Sequence, residues 1–444
     1  MAGTLAQRSG PAADLVIRGA RLVDPAEGLD GRHDLLVRDG RIAAIGDALE
    51  APPEVEEVDA DGQVVLPAFV DPHVHLRVPG QEWKEDLATG SRAAAAGGYC
   101  AVLSMPNTDP VIDTGAVLEA SLERAREEAV VRVGFLACVS VGQQGEQLAE
   151  LGDLADRGAA GFTDDGRPVW SAGLLRRALQ YARPLGLPIA LHCEEPTLSR
   201  GGHAHEGAVA AELGFGGWPS IAESTMVARD VRIAAYEDPH VHLQHLSARE
   251  SVEEVAWARA RRLRVTAEAT PHHLVLTDEV LRELDANAKM NPPLATESDR
   301  KALIDAVRDG TIDIIATDHA PHALEEKEQP FEAAPFGVTG LETAFPVLYT
   351  ELVQPGLLRL ETVVERMTTG PCAAFGLERP RLAVGAPADL AVWDLNAEWT
   401  VRPERFLSKS ANSAFIGRRL AGLCLLTLAG GQVAFREAAV EALP

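Results

Sequence analysis

Apolar residues recur along this chain in two textures. Near both ends they alternate with polar residues at a period of two, the signature of half-buried strands. Residues 13–60 carry Asp-Leu-Val-Ile-Arg-Gly and Asp-Leu-Leu-Val-Arg-Asp-Gly-Arg-Ile-Ala-Ala-Ile-Gly, with an Asp39-Gly40 turn that predicts a hairpin. The same texture returns in Ala-Asp-Leu-Ala-Val-Trp-Asp-Leu (388–395) and Leu-Leu-Thr-Leu-Ala-Gly-Gly-Gln-Val-Ala-Phe (425–435). Two β-rich ends around a different middle predict one small β-sandwich built from both termini, residues 1–63 and 379–444.

The middle, 64–378, alternates strand-like and helix-like segments. Strands are predicted at 64–75, 100–105, 132–140, 159–164, 187–193, 240–246, 264–270 and 312–318. Amphipathic helices are predicted between them at 114–129, 144–157, 171–184, 221–236, 248–262 and 298–308. Eight such strands are the count of an α/β fold of the (β/α)8, TIM-like barrel type, whose active sites lie at the carboxyl ends of the strands. A doubly wound sheet is the alternative on pattern alone.

Composition narrows the function. A chain of 444 residues with a net charge of -25 lacks the basic patch that nucleic acid requires, and it is repelled by anionic membranes. Five scattered cysteines suit a reducing compartment. The first ten residues hold no apolar signal core, and no apolar run approaches membrane-spanning length. A cytoplasmic protein without nucleic-acid or membrane partners is expected.

The predicted strands end in a set of metal-ligating side chains. Val-Val-Leu-Pro-Ala-Phe-Val-Asp-Pro-His-Val-His-Leu-Arg (64–77) delivers His73 and His75 two positions apart, on one side of a strand. A bare His-x-His is ordinarily two polar residues leaving a strand. Here, however, the fourth strand ends in Asp164 and Asp165, the fifth in His192, the sixth in His245 and the eighth in Asp318. Imidazoles and carboxylates gathered at one face of a barrel predict a site for one or two Zn²⁺-like ions. Arg77, two residues beyond His75 and on its side, suits a bidentate clamp for an anionic group.

This ligand order resembles the amidohydrolase superfamily. Members commonly bridge two metals with a carbamylated lysine from the fourth strand, but no lysine lies between Lys84 and Lys289. Phe-Thr-Asp-Asp-Gly in its place is similar to the bacterial class I (type I) dihydroorotases. Met-Pro-Asn-Thr-Asp-Pro (105–110), Leu-His-Cys-Glu-Glu (191–195) and Thr-Pro-His-His-Leu (270–274) resemble that family as well. So do Lys-Met-Asn-Pro-Pro-Leu (289–294), Ala-Thr-Asp-His-Ala-Pro-His (316–322) and Ala-Pro-Phe-Gly-Val-Thr-Gly-Leu-Glu-Thr-Ala (334–344). One departure is Ala295, where the family often has arginine.

The resemblance implies a zinc enzyme that interconverts N-carbamoyl-L-aspartate and L-dihydroorotate, with one or two Zn²⁺ per subunit. It implies that Asp165 bridges the metals while Asp164 faces elsewhere. It makes His73, His75, His192, His245 and Asp318 the other ligands, with Asp318 also carrying the proton. His75, Arg77, Asn107 and His322 would meet the substrate, with Asn107 and His322 joining Arg77 on its carboxylate. Asn291 and the Phe336–Gly337 backbone would hold the ring edge. A homodimer and an association with aspartate carbamoyltransferase are further implications. Two readings compete: an allantoinase- or hydantoinase-like cyclic amidase, and a non-catalytic scaffold for that transferase.

The remaining histidines are expected to be structural: His203 and His205 in a glycine-rich loop, His240 and His242 on the sixth strand, and His272 and His273 after the seventh. His319 and Glu342 carry no assignment. The charged segment 325–331 is either a cover over the site or an ordinary solvated loop.

Overall fold

The computed structural model describes residues 3–437, a mixed α/β chain. Strands from both ends form one eight-stranded sheet. It runs from Gln432–Arg436 through Arg419–Ala429, Leu390–Thr400, Val64–Pro67, Leu15–Asp24 and Leu29–Arg38 to Arg41–Gly46, with Glu56–Asp59 also paired to Leu15–Asp24. The hairpin turn at Asp39-Gly40 takes φ values of 49° and 70°, the left-handed pair that matches strand twist. Gly40 is also required by space, since a Cβ there would lie 2.7 Å from the Gly431 carbonyl oxygen.

Period-two alternation gives this sheet two buried faces. Val65, Leu390, Val392, Leu426 and Leu428 turn into a small core with Leu15, Ile17 and Leu22. Their neighbours Val64, Leu66, Ala391, Trp393 and Ala429 turn the other way, into the large central core. There the Trp393 ring lies 4.4 Å from Phe345, which in turn lies 5.2 Å from Phe69. Truncating a fully buried aromatic of this kind to alanine costs about 3–5 kcal/mol.

The middle of the chain forms two parallel sheets. Phe69–Val74, Tyr99–Ser104 and Arg132–Phe135 make one, and Ile189–Leu191, Val241–Leu243, Val265–Ala269 and Ile314–Ile315 the other. Single parallel bridges join them at both sides: Ala137 to Phe162 and Phe162 to Ile189 at one, Val74 to His319 at the other. The buried Asp71 carboxylate reinforces the second junction, accepting from His73 N at 3.0 Å and Thr317 N at 3.1 Å. Helices Gly115–Glu128, Ala172–Ala182, Ile221–Glu237, Arg249–Ala260 and Glu297–Asp309 lie close to their predicted ranges. The last starts at a capping box in which Thr296 and Asp299 satisfy each other's backbone amides.

The strands predicted over 132–140 and 312–318 are shortened to Arg132–Phe135 and Ile314–Ile315, and three further elements differ more deeply. The run 64–75 is two strands broken at Ala68. Pro67 offers no N–H to continue a ladder, so pairing passes from one sheet to the other: Ala68 N donates to Asp389 O at 3.1 Å, and Phe69 N to Gly98 O at 2.9 Å. The helix predicted over 144–157 is confined to Leu151–Asp156, because Gly142 and Gly145 turn left-handed and Ser140 bridges to Leu148. The strand predicted over 159–164 is reduced to the two bridges at Phe162. Among the described residues no helix is long and apolar enough to cross a membrane.

Candidate metal centre and substrate cavity

The parallel strands bring the predicted ligands together at one end. Two groups of three can each hold a cation, His73 with His75 and Asp165, and Asp165 with His192 and His245; Asp165 belongs to both. His73 Nε2 lies 3.4 Å from Asp165 Oδ1 and 3.4 Å from Asp318 Oδ1. His75 Nε2 lies 3.4 Å from Asp165 Oδ2 and 3.1 Å from Asp318 Oδ1. His245 Nε2 and His192 Nδ1 lie 3.6 and 3.8 Å from Asp165 Oδ1. Two ligand atoms on a tetrahedral Zn²⁺ with bonds of about 2.0–2.1 Å sit about 3.3–3.4 Å apart, so three of these six edges match such an ion and the other three lie within about 0.5 Å of it. The His192 Nδ1–His245 Nε2 contact is shorter, 2.8 Å.

Three of the four imidazoles are turned by a bond on the far side. His73 Nδ1–H donates to Glu268 at 2.5 Å, His75 Nδ1–H to Asn107 Oδ1 at 2.9 Å, and His192 Nε2–H to Glu194 at 2.9 Å. The acceptors orient the rings, and the opposite nitrogens face inward, where a bound cation would take their lone pairs. The donor set fits a divalent cation on a second count. His73 Nε2 and Asp165 Oδ1 are buried atoms that find no hydrogen-bond partner.

Every predicted site residue except His73 lines one cavity of about 280 Å³, and His73 lies fully buried beneath it. Arg77 is buried with φ 59° and donates Nε–H to Pro321 O at 3.1 Å. It enters no ion pair among the described residues. Burial lowers its guanidinium to about 10, so it keeps its charge at neutral pH. His322 Nε2–H donates to Phe336 O at 2.8 Å; burial, then the neighbouring Arg77, push this imidazole down to about 2 and keep it neutral. Asn291 gives Nδ2–H to Glu194 at 3.2 Å, which leaves its Oδ1 without a partner. A larger cavity of about 510 Å³ lies beside Trp393 and Trp399 and contains none of these residues.

A family model described as dihydro-orotase-like matches residues 62–251. A dihydroorotase of Anaeromyxobacter sp. (strain K) is 48% identical over 425 residues, covering 95% of this chain and 98% of that protein. One from Geotalea daltonii is 45% identical over 424 residues, covering 96% and 100%. This chain belongs to the dihydroorotase family. Among solved structures, the L-hydantoinase (dihydropyrimidinase) of Arthrobacter aurescens superimposes with a TM-score of 0.85 at 27% identity, covering 95% of this chain and 96% of that one. The dihydropyrimidinase of Brevibacillus agri, 24% identical with a TM-score of 0.82, shares the fold and covers 95% of each chain. Family and neighbours together make the chain a cyclic amide hydrolase.

Within this dihydroorotase-family site the carboxylates are ionised. Burial pushes Asp318 and Asp165 upward, but the imidazoles around them, His73 foremost, outweigh burial and hold both well below the usual carboxylate range. Asp164 faces away, accepting from the Val139 and Ser140 amides at 2.9 and 3.1 Å.

Sequence reasoning passed over Glu268, which binds His73 through one oxygen, takes His242 Nε2–H at 2.9 Å through the other, and accepts the His245 amide at 3.1 Å. Its signal was a charge inside the apolar strand Val265–Ala269. Glu194 was also passed over, although it stands two positions from His192. His242 therefore braces the site through Glu268. His273 Nε2–H donates to Pro292 O at 2.9 Å, and His203 Nδ1 lies 3.4 Å from the Lys289 ammonium. His319 Nε2 lies 3.4 Å from Glu85, and Glu342 accepts the Leu407 and Ser408 amides.

Proposed function

We propose that this protein is a zinc-dependent class I (type I) dihydroorotase. It catalyses the reversible cyclisation of N-carbamoyl-L-aspartate to L-dihydroorotate plus water in pyrimidine synthesis. The observation that carries the reading is the pair of ligand triads sharing Asp165 in a cavity that also holds the buried, unpaired cation of Arg77. The bridges at Phe162 and between Val74 and His319 support a closed (β/α)8 barrel in the middle of the chain, and the terminal sheet, which takes in Val64–Pro67 as well as strands from both ends, supports the sandwich, with its first boundary after Pro67 instead of before Val64.

His73, His75, Asp165, His192, His245 and Asp318 would hold one or two Zn²⁺. Such an ion supplies Lewis acidity, lowering the pKa of water from about 16 to about 7 and polarising the amide carbonyl. Asp318, ionised and beside His75, takes the proton as water adds to the ring carbonyl. It returns that proton to the amide nitrogen as the C–N bond breaks, and the reverse sequence closes the ring. Arg77 binds the substrate carboxylate, joined by Asn107, whose Oδ1 is committed to His75 and whose Nδ2 is left for the anion, and by His322 once its Nε2–H passes from Phe336 O to that anion. Asn291, its Nδ2 held by Glu194, offers Oδ1 as acceptor for a ring N–H, and the backbone of Phe336 and Gly337 lines the ring edge. The Arg77 cation favours this acidic substrate over the uncharged rings of hydantoinases. We further infer a cytoplasmic homodimer able to associate with aspartate carbamoyltransferase.

The test is dihydroorotate hydrolysis by purified protein, with metal content measured on the same sample. Turnover by metal-loaded protein is expected. Metal-loaded protein that leaves dihydroorotate intact but opens hydantoins or allantoin would replace this reading with that of a neutral cyclic amidase.

A further inference from the structure

Two lysines with unusual surroundings hold the loop after the last parallel strand: Lys327 within it, and Lys289 from the segment that follows Val265–Ala269. Lys327 sits at the end of the short helix Leu324–Lys327, in a Glu-Glu-Lys-Glu run that reads as solvated, yet it is buried, as is Lys289. Among the described residues neither ammonium enters an ion pair. Lys327 Nζ instead donates to Lys289 O at 3.3 Å, Pro335 O at 3.0 Å and Gly337 O at 2.9 Å. Lys289 Nζ donates to Phe331 O at 2.8 Å, Glu332 O at 3.0 Å and Ala334 O at 2.7 Å. An ammonium has three protons, and here each has three carbonyls.

Phe336 O is taken by His322 and Gly337 O also by Asn412 Nδ2, so the carbonyls of residues 331, 332, 334, 335, 336 and 337 all turn inward onto four side chains. The Lys289 ammonium also lies 4.5 Å from the Phe336 ring centre. The segment closes on itself, with Gly337 N donating to Lys289 O at 2.9 Å. At Gly337, φ is 127° and a Cβ would lie 2.9 Å from Ala320 Cβ, so this contact with the barrel admits only glycine. Burial, then the charge of Lys289, lower the Lys327 ammonium to about 7. The cation is thus held at a cost that a solvated loop would not bear.

We propose that Lys289 and Lys327 are positioning residues that pre-form the Phe336–Gly337 backbone, making this loop a fixed wall of the cavity and not a lid. The inference rests on the reading that substrate occupies this cavity. Neither lysine lines it, so both act through the backbone they hold.

Hydrogen exchange on the metal-loaded wild type is the first test, with and without an equilibrated mixture of dihydroorotate and carbamoyl aspartate. A fixed wall predicts that the peptide spanning 331–338 exchanges slowly in the free enzyme and changes little on binding. Fast exchange in the free enzyme with strong protection by substrate would overturn the proposal. Lys327→Gln is the second test. Because it removes the donor of Pro335 O and one of two donors each from Lys289 O and Gly337 O, KM should rise about tenfold while kcat stays within about threefold and metal content is unchanged. An unchanged KM would also overturn the proposal. A variant that fails to fold leaves the decision to exchange on the wild type. Wild type that does not turn over dihydroorotate would remove the functional reading, while exchange in the free enzyme would still decide whether the loop is fixed.

Discussion

The metal centre and the loop over 331–337 line the same cavity and satisfy their polar groups in opposite ways. At the metal centre the strands force carboxylates and imidazoles together and leave His73 Nε2 and Asp165 Oδ1 with nothing to bond. In the loop, buried charge is saturated by the chain's own backbone, three carbonyls to each ammonium. The first region is complete only with something added, whereas the second is complete as folded. Changes at the metal centre should therefore appear in kcat and metal binding, and changes around the substrate in KM.

Asp318→Ala should have the largest effect, a fall in kcat of about a thousandfold or more with metal retained, measured by steady-state kinetics and elemental analysis. If metal is lost together with activity, Asp318 is chiefly a ligand. Asp165→Asn comes next: metal per subunit should drop, because both triads lose the shared carboxylate and its negative charge, and titration against a chelator reads the loss directly. Removing metal from the wild type should lower the thermal midpoint, since the buried carboxylates then keep their neighbours without the cation between them. Arg77→Lys tests the substrate side, where losing the planar fork should raise KM by about tenfold with kcat little changed. The smallest effect belongs to Glu342, which lies in neither region and is held by two backbone amides. Burial raises its carboxyl from 4.5 to about 7. A raised folded value favours the protonated form, so its contribution is full below pH 4.5 and is lost as pH rises through 7. Glu342→Gln should flatten that part of the thermal midpoint's pH profile.

The candidate ligands were legible because each follows an apolar, strand-like run, and period-two geometry sends His73 and His75 to one side. The partners behind them were less so. Glu268 reaches His73 from another strand 195 positions away, a contact that local pattern does not encode. Lys327 was hidden in a charge run whose composition matches a solvated loop, since burial there is decided by distant carbonyls. In the fold, helix and strand positions followed the apolar rhythm. The break at Ala68 did not, because both halves of 64–75 are apolar and only Pro67 marks the change of sheet.

That break has a consequence for the order in which the protein can be made. Val64–Pro67 needs Leu390–Thr400 as its antiparallel partner, and it stands one residue before the strand that carries His73. A chain growing from its amino end thus displays an open strand edge beside its first ligands for more than three hundred residues of synthesis. Asp318 and its neighbour Thr317, which Asp71 grips, arrive late as well. Catalytic competence is therefore a property of the finished polypeptide, and a nascent chain has an interval in which the edge must be shielded from other chains.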